Sequence, residues 1–390
     1  MRILHVVSTL NISSGIANFI VNYYRYLAKE DVTFDFLLFY DAPNSFDEEV
    51  KKMGSNIYYI PRPTVRTVGK YSKAVEKLFE AEGHKWDVVH IHEILVSKYV
   101  KKAAHKRNIP IIIHSHATKF VIKDNSKGTF VRNMNFLIKK IRNAYLLSGI
   151  NKGADRYLAC SLSAGEALFD KRITNDPNKF FVVRNAIDYN RYLEKPKPKD
   201  SIRNTLKLTD KRIILNVGRL CAEKNQLFLI DVFNRVRQKT DDYVLVFAGD
   251  GELKQKLLEK SKEYGLEDKV FILGNRSDVN TIMSESDIFV FPSLFEGLGI
   301  VAVEAQASGL SCVCSDTVPE DILISDSVVF KSLNDSPESW ATCIMSLECN
   351  KQKTIASLKN DYDVSLNAAK LLEIYQSLIK WLRFSTLSQD

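Results

Sequence analysis

Short runs of β-branched, aliphatic and aromatic residues alternate along this chain with amphipathic stretches, a rhythm that signals βαβ units carrying parallel sheets. In the first half the spacing predicts strands at Arg2–Val7, Thr33–Phe39, Asn56–Ile60, Asp87–Ile91, Ile109–His114, Arg156–Cys160 and Phe180–Arg184. In the second half it predicts Arg212–Val217, Tyr243–Ala248, Lys269–Leu273, Asp287–Phe291, Ser311–Cys314 and Ser327–Phe330. A parallel strand covered on both faces reads as an unbroken apolar run, as Ile288-Phe289-Val290-Phe291 does.

At 390 residues the chain exceeds one ordinary core, so two domains are expected. Between the halves, Lys195-Pro196-Lys197-Pro198-Lys199-Asp200 sets two prolines among charges and is the expected linker. The prediction is an α/β fold of two Rossmann-like domains, 1–194 and 195–366, facing across a cleft, with a further segment at 367–390. In open α/β sheets ligands sit beyond the C-terminal strand ends, so chemistry is expected there. That build alone does not fix an activity.

Composition narrows the class. With 45% hydrophobic and 26% charged residues the chain is ordinary for a globular protein. Its first residues, Met1-Arg2-Ile3-Leu4-His5-Val6-Val7-Ser8, read as a buried strand rather than a signal peptide. No stretch approaches the ~18 apolar residues of a spanning helix. A soluble cytoplasmic protein, or one attached peripherally at the inner membrane face, is expected. The six cysteines form no CxxC pair and read as free thiols in a reducing compartment. The net charge of +8 divides into +12 over residues 1–195 (31 Lys/Arg, 19 Asp/Glu) and −4 over the remainder (24 and 28). Within Lys98–Arg142 there are 12 basic residues and one acid, Asp124. A solvated helix face and attraction to an anionic membrane or anionic lipid-linked acceptor weigh about equally there. Nucleic acid is disfavoured because no binding motif accompanies the charge.

The most specific constellation follows the strand at Ile288–Phe291. Pro292, Gly297 and Gly299 make a turn, a helix begins near Gly299, and Gly309 supplies its left-handed cap. A helix N-terminus offers free N–H groups and the positive end of a dipole, which favour a diphosphate. Glu296 stands in the turn, where a carboxylate can accept from sugar hydroxyls, and Glu304 stands in the helix, where it can accept from ribose hydroxyls. The competing reading is a loop charge and a solvated helix residue, which fits poorly among Val301, Ala302, Val303 and Ala305. Likewise Arg212–Val217 runs into Gly218-Arg219-Leu220-Cys221-Ala222-Glu223-Lys224-Asn225, a glycine turn with two cations five apart. Fixed cations suit a departing diphosphate, Arg219 as a fork and Lys224 as a point charge.

Glu296 and Glu304, with seven residues between them in Phe295-Glu296-Gly297-Leu298-Gly299 through Glu304-Ala305, resemble the motif of retaining glycosyltransferase family 4. The resemblance extends over essentially the whole chain and implies the GT-B fold, of the bacterial capsular and exopolysaccharide type. It implies that Glu296 contacts the donor sugar, Glu304 the ribose, and that Gly297, Leu298, Gly299 and Ile300 line the phosphates. The Gly218-Arg219…Glu223-Lys224 element matches the family's, and Phe247-Ala248-Gly249-Asp250-Gly251 resembles its next turn, with Gly249 admitting the donor and Asp250 structural. Gly274-Asn275-Arg276 resembles the base-binding loop. The first loop carries Ser14-Gly15 and Ala17 where the family often has Gly-Gly and Glu; Gly15 is still expected near the leaving phosphate. Arg184-Asn185-Ala186-Ile187-Asp188 resembles the family's Asn-Gly-Ile-Asp turn.

The family also has a histidine beyond the strand at Ile109–Ile113, and counting from Pro110 gives His116. It is expected to face the donor sugar, with His114, on the other side of the strand, as the alternative. A His-x-His pair suggests metal, but no third ligand is evident, so none is expected. His90 and His92, at the end of the strand Asp87–Ile91, flank the same expected cleft within reach of an acceptor, with satisfied structural roles the favoured reading. The apolar stripe at 368, 371, 372, 375, 378, 379 and 382 predicts a helix, which in the family crosses back to the first domain.

The resemblance thus implies cofactor-free transfer from a nucleoside-diphosphate sugar, with UDP the expected nucleotide, to a saccharide or polyprenyl-diphosphate-linked acceptor. His116, Arg219, Lys224 and Glu296 are the expected catalytic residues. A non-catalytic partner or glycan-binding subunit, or a sugar-nucleotide epimerase on the same fold, are the rivals.

Overall fold

The computed structural model describes residues 1–12, 14–64, 66–116, 149–194, 201–208 and 210–387. The chain divides into two compact units, one formed by Met1–Ala186 with Val364–Asp390 and one by Ile187–Asp363.

The first unit holds a parallel sheet of seven strands: β1 Arg2–Val6, β2 Thr33–Leu38, β3 Ile57–Tyr59, β4 Val88–Ile91, β5 Ile111–Ser115, β6 Arg156–Ala159 and β7 Phe180–Val182. Their order is β3-β2-β1-β4-β5-β6-β7, so the chain reverses direction across the sheet between β1 and β4. Both faces are covered by apolar cores. Ile3, Phe34, Phe36, Val88 and Ile112 pack on one side, Leu4, Val6, Val89, Ile111 and Ile113 on the other. This two-sided burial explains why β1, β2, β4 and β5 are apolar on both faces apart from buried polar residues such as His5, Asp35, His90 and His114. The helix Gly15–Leu27 packs on the first face, capped by Ser14, whose side chain accepts from the Ala17 N–H. The C-terminal helix, Val364–Leu387, packs on the same face through Ala368, Leu371, Ile374, Tyr375 and Leu378.

The second unit holds six parallel strands: β8 Arg212–Val217, β9 Tyr243–Ala248, β10 Val270–Ile272, β11 Ile288–Phe291, β12 Ser311–Ser315 and β13 Val328–Lys331. The order β10-β9-β8-β11-β12-β13 repeats the doubly wound plan, with its switch point between β8 and β11.

The passage into the second unit falls at Ala186/Ile187, earlier than the boundary expected at 194/195. Ile187 forms a parallel bridge with Asp363, its N–H donates to the Tyr362 carbonyl (2.8 Å), and the Tyr189 hydroxyl donates to the Lys359 carbonyl (2.7 Å). Those bonds commit 187–194 to the second unit. The expected linker, Lys195–Asp200, lies outside the described residues. Cys160, Cys221, Cys312 and Cys314 are buried free thiols, while Cys343 and Cys349 are only half-buried.

Candidate active site

In the second unit Gly218, Arg219 and Lys224, after β8, and Glu296 to Ile300, after β11, gather at the switch point, while Gly249 follows β9 and Asn275 and Arg276 follow β10. The β8 strand ends at Val217, and the chain then turns through Gly218 and Arg219 into the short 3-10 helix Ala222–Lys224. The loop after β11 is tied to this turn by the Leu294 N–H, which donates to the Glu223 carbonyl (2.8 Å). Its start is pinned by the Ser293 carbonyl, which accepts from Ser315 Oγ and Thr317 Oγ1, both at 2.6 Å. The two loops meet in an ion pair: Lys224 Nζ lies 2.5 Å from Glu296 Oε1. The same ammonium stands 4.8 Å from the centroid of the Phe291 ring, a cation–π contact. Arg219 is exposed and makes no ion pair among the described residues, while its carbonyl accepts from Gln226 Nε2 (3.0 Å).

Glycine is required at two of these turns by close approach. A Cβ at Gly249, beyond β9, would overlap the Gly218 carbonyl oxygen. At Gly299 the backbone is left-handed (φ 84°), and a Cβ would stand 3.1 Å from the Phe291 ring. The helix then runs over Ile300–Ala307, with Gly309 left-handed (φ 81°) just past its end. Leu298 is buried in the core beneath.

Glu304 lies one turn into that helix, half-buried. Burial pushes its carboxyl up to about 7, while the Tyr192 hydroxyl and the charge of Arg191 act in the opposite sense. Nothing in the sequence spacing pointed to Tyr192 or Arg191, which approach from the segment before the linker. Buried Gln306 fixes the helix: its Nε2 donates to the Ala302 and Ile322 carbonyls, and its Oε1 accepts from the N–H groups of Ile324 and Ser325.

Beyond β10, Gly274 bridges to Gly249, which joins the two loops. Asn275, Arg276, Ser277, Asp278 and Thr281 line a surface hollow of about 430 Å³. The Arg276 guanidinium is held in bidentate fashion by Asp278 (2.7 and 2.6 Å).

In the first unit Gly15 opens the helix Gly15–Leu27, and a Cβ there would meet nothing within 4 Å. The histidines depart from the sequence reading. His114 and His116 lie on the same side of the chain, their rings stacked with centroids 4.1 Å apart, not on opposite sides. Side chains two apart along extended backbone share a face, which is the physical reason for the correction. His5 and His90 are directly paired across β1 and β4, so these strand ends bring five of the seven histidines together. The expectation that no third metal-type ligand stands near His114 and His116 is likewise corrected, because His92 is within reach of both. His92 bridges His5 (3.0 Å) and His116 (2.8 Å), and His90 bridges His114 (3.2 Å) and the Tyr375 hydroxyl (2.7 Å). Burial drives His5 and His116 down to about 3 and holds His90, His92 and His114 well below the ordinary imidazole value. The cluster is therefore neutral.

Residues 13–191 match the family model described as Glycosyltransferase Family 4, and residues 198–360 match the model described as Glycosyl transferases group 1. The chain belongs to the family 4 glycosyltransferases. The putative glycosyltransferase EpsF of Bacillus subtilis (strain 168) is 28% identical over 384 residues, 96% of each chain. The UDP-Gal:alpha-D-GlcNAc-diphosphoundecaprenol alpha-1,3-galactosyltransferase of Escherichia coli is 25% identical over 316 residues, 78% of each chain. Among solved structures, Anabaena Alr3699/HepE in complex with UDP and glucose aligns with a TM-score of 0.75 at 18% identity, covering 97% of this chain and 100% of that one. The likeness is one of fold, and with the two Rossmann-like sheets it makes this glycosyltransferase GT-B.

The basic stretch Lys98–Arg142 of this family 4 glycosyltransferase is partly accounted for. Lys101 is buried and donates to the Gly149 (2.5 Å) and Lys152 (2.7 Å) carbonyls, and Lys106 and Arg107 pair with Glu76. Residues 117–148, which carry seven of the twelve basic residues, lie outside the described residues. No helix among the described residues is long and apolar enough to cross a membrane.

Proposed function

We propose that this glycosyltransferase moves a hexose-type sugar from a UDP-sugar to a lipid-linked saccharide in surface polysaccharide assembly, with retention at the anomeric carbon. The observation that carries the reading is the meeting of Lys224 and Glu296 at the β8/β11 switch point, beside glycines that leave the backbone bare.

As the bond from the anomeric carbon to the diphosphate breaks, the acceptor hydroxyl oxygen bonds to that carbon on the same face. Its proton passes to the departing diphosphate, on which negative charge develops. Lys224 and Arg219 are the cations that meet it, with the N–H groups at Ile300 and the backbone of Gly297, Leu298 and Gly299 as donors. Gly218 and Gly249 let their two turns approach each other closely beside the phosphates. Glu296 neutralises Lys224; a bound diphosphate takes over that ammonium and frees Glu296 to accept from sugar hydroxyls. Glu304 accepts from the ribose, and the loop at Asn275 and Arg276 reads the base. On the first unit, Gly15 and His116 are assigned to the transfer. The two fixed cations occupy the role a divalent ion has in other diphosphate sites.

UDP is supported by the UDP held by the Anabaena protein and by the name of the Escherichia coli relative. The acceptor class is supported by that same name and by that of the Campylobacter jejuni relative, a diphospho-undecaprenol glycosyltransferase. The excess of basic residues in the first half supports attraction to anionic lipid. A transfer assay with UDP-sugars and polyprenyl-diphosphate saccharides tests the reading. Full activity in the Arg219→Ala/Lys224→Ala double variant would sink it.

A further inference from the structure

The clustered histidines form two files lying on one another. His5, His92 and His116 are linked ring to ring through hydrogen bonds of 3.0 and 2.8 Å, and His90 and His114 through one of 3.2 Å with their planes only 7° apart. His92 stacks on His90 (4.3 Å, 27°) and His116 on His114 (4.1 Å, 25°), while Phe19 closes edge-on against His114 and His116. Stacking sets this arrangement apart from a metal site. An imidazole binds an ion in its own plane, and two rings lying face to face cannot both aim a lone pair at one point.

A neutral imidazole has one N–H and one lone pair. In the file His5–His92–His116 both internal bonds must therefore run the same way, leaving an N–H at one end and a lone pair at the other. The end atoms are His5 Nε2 and His116 Nδ1, both buried, and among the described residues neither has a hydrogen-bond partner of good geometry. Orphaned buried N–H groups are rarer than orphaned acceptors, so the surroundings of the two ends decide the direction. His5 is enclosed by Phe34 and Phe36, with ring centroids at 4.0 and 6.0 Å, which offer a proton no acceptor. Beside His116 lies Asn185, which acts on it as a hydrogen-bond acceptor and whose amide oxygen is buried with no other partner among the described residues. The proton belongs at the His116 end.

We infer that His5 and His92 are positioning residues that lock His116 with its proton on Nδ1, so that His116 serves the transfer as a hydrogen-bond donor and not as a base. His5 Nδ1–H donates to His92 Nε2, and His92 Nδ1–H donates to His116 Nε2. The lone pair a base would use is thereby occupied, and an oxygen of the ligand competes with Asn185 for the remaining N–H. The inference rests on the assignment of His116 to the transfer.

The test is the ring 15N–1H correlation spectrum of the full chain labelled at its seven histidines. His116 is assigned by the signals lost in His116→Gln or, should that variant not fold, by contacts to Phe19 protons. The wild type is expected to show His116 protonated on Nδ1. His92→Leu is expected to bring in the Nε2-protonated form and to lower kcat roughly 10- to 100-fold, with a much smaller change in donor KM. His92→Asn, whose amide can donate where Nδ1–H does, restores both the tautomer and most of the rate. An Nε2-protonated His116 in the wild type overturns the inference. A wild-type rate in His116→Ala would instead overturn the assignment of His116 to the transfer, and leaves the tautomer reading intact.

Discussion

Lys224 and Glu296, 72 residues apart in sequence, form a largely buried ion pair whose side chains are 21% and 10% exposed. Sequence reasoning gave the two residues separate roles, cation for phosphate and clamp for sugar. Their contact makes each the other's counter-ion until the donor arrives. Removing one partner strands the other's charge in a poorly solvated place. Lys224→Met keeps the aliphatic packing over Phe291 and removes only the charge; it is expected to lower kcat roughly 10²- to 10³-fold. It should also cost on the order of 1–3 kcal/mol of stability. Steady-state kinetics and urea unfolding read these separately, and Lys224→Met/Glu296→Gln should recover stability without recovering activity.

Glu304 gives the free protein a pH dependence of definite sign. Below about pH 4.5 the carboxyl is protonated whether the chain is folded or not. Between there and about 7 the unfolded chain ionises while the folded one keeps its proton, so stability is lost as pH rises through that window. Glu304→Gln has no such penalty. It is expected to exceed the wild type by on the order of 2 kcal/mol at pH 8, with the gap closing toward pH 4.5. Unfolding free energies across pH check this, and the same variant should bind UDP more weakly.

The close approach of β8 and β9 beyond their ends predicts an intolerant position. Gly249→Ala pushes a methyl group into the Gly218 carbonyl oxygen, so the two donor-side turns must separate. A loss of roughly 2 kcal/mol or more is expected, read as a lower melting temperature together with weaker nucleotide binding.

Tyr375 joins the C-terminal helix to the histidine files through its 2.7 Å bond to His90 Nδ1. Tyr375→Phe removes one hydroxyl and leaves a buried ring nitrogen unpaired, at a cost of about 1–3 kcal/mol. Thermal unfolding of the full chain reads that cost, and an unchanged midpoint would show that the bond does not form.

All thirteen strands were legible in the sequence to within one or two residues, because both faces of each sheet are covered and the strands therefore read as unbroken apolar runs. The turn after Phe291 was equally legible, since glycines at fixed offsets leave few conformations open. The histidine files were not. His5, His90 and His114 lie on three different strands, and only register brings them together: His5 pairs with His90 and His90 with Ile112. A period-two reading of His90/His92 and His114/His116 would have placed each pair on one face, and that was the available signal. Tyr192 and Arg191 near Glu304, and the buried Gln306 that fixes its helix, carried no signal, because such contacts depend on how segments pack rather than on local pattern.

Lys224, Glu296 and Glu304 are proposed as the centre of the donor site, and nucleotide binding tests that proposal most directly. A ligand at 100 times its Kd stabilises the folded state by about 2.7 kcal/mol, which a thermal shift resolves. UDP and UDP-sugars are expected to raise the melting temperature of the wild type, with a much smaller rise in Arg219→Ala/Lys224→Ala and in Glu304→Ala. No rise in the wild type with any UDP-, GDP- or ADP-sugar, or a full rise in those variants, would contradict it.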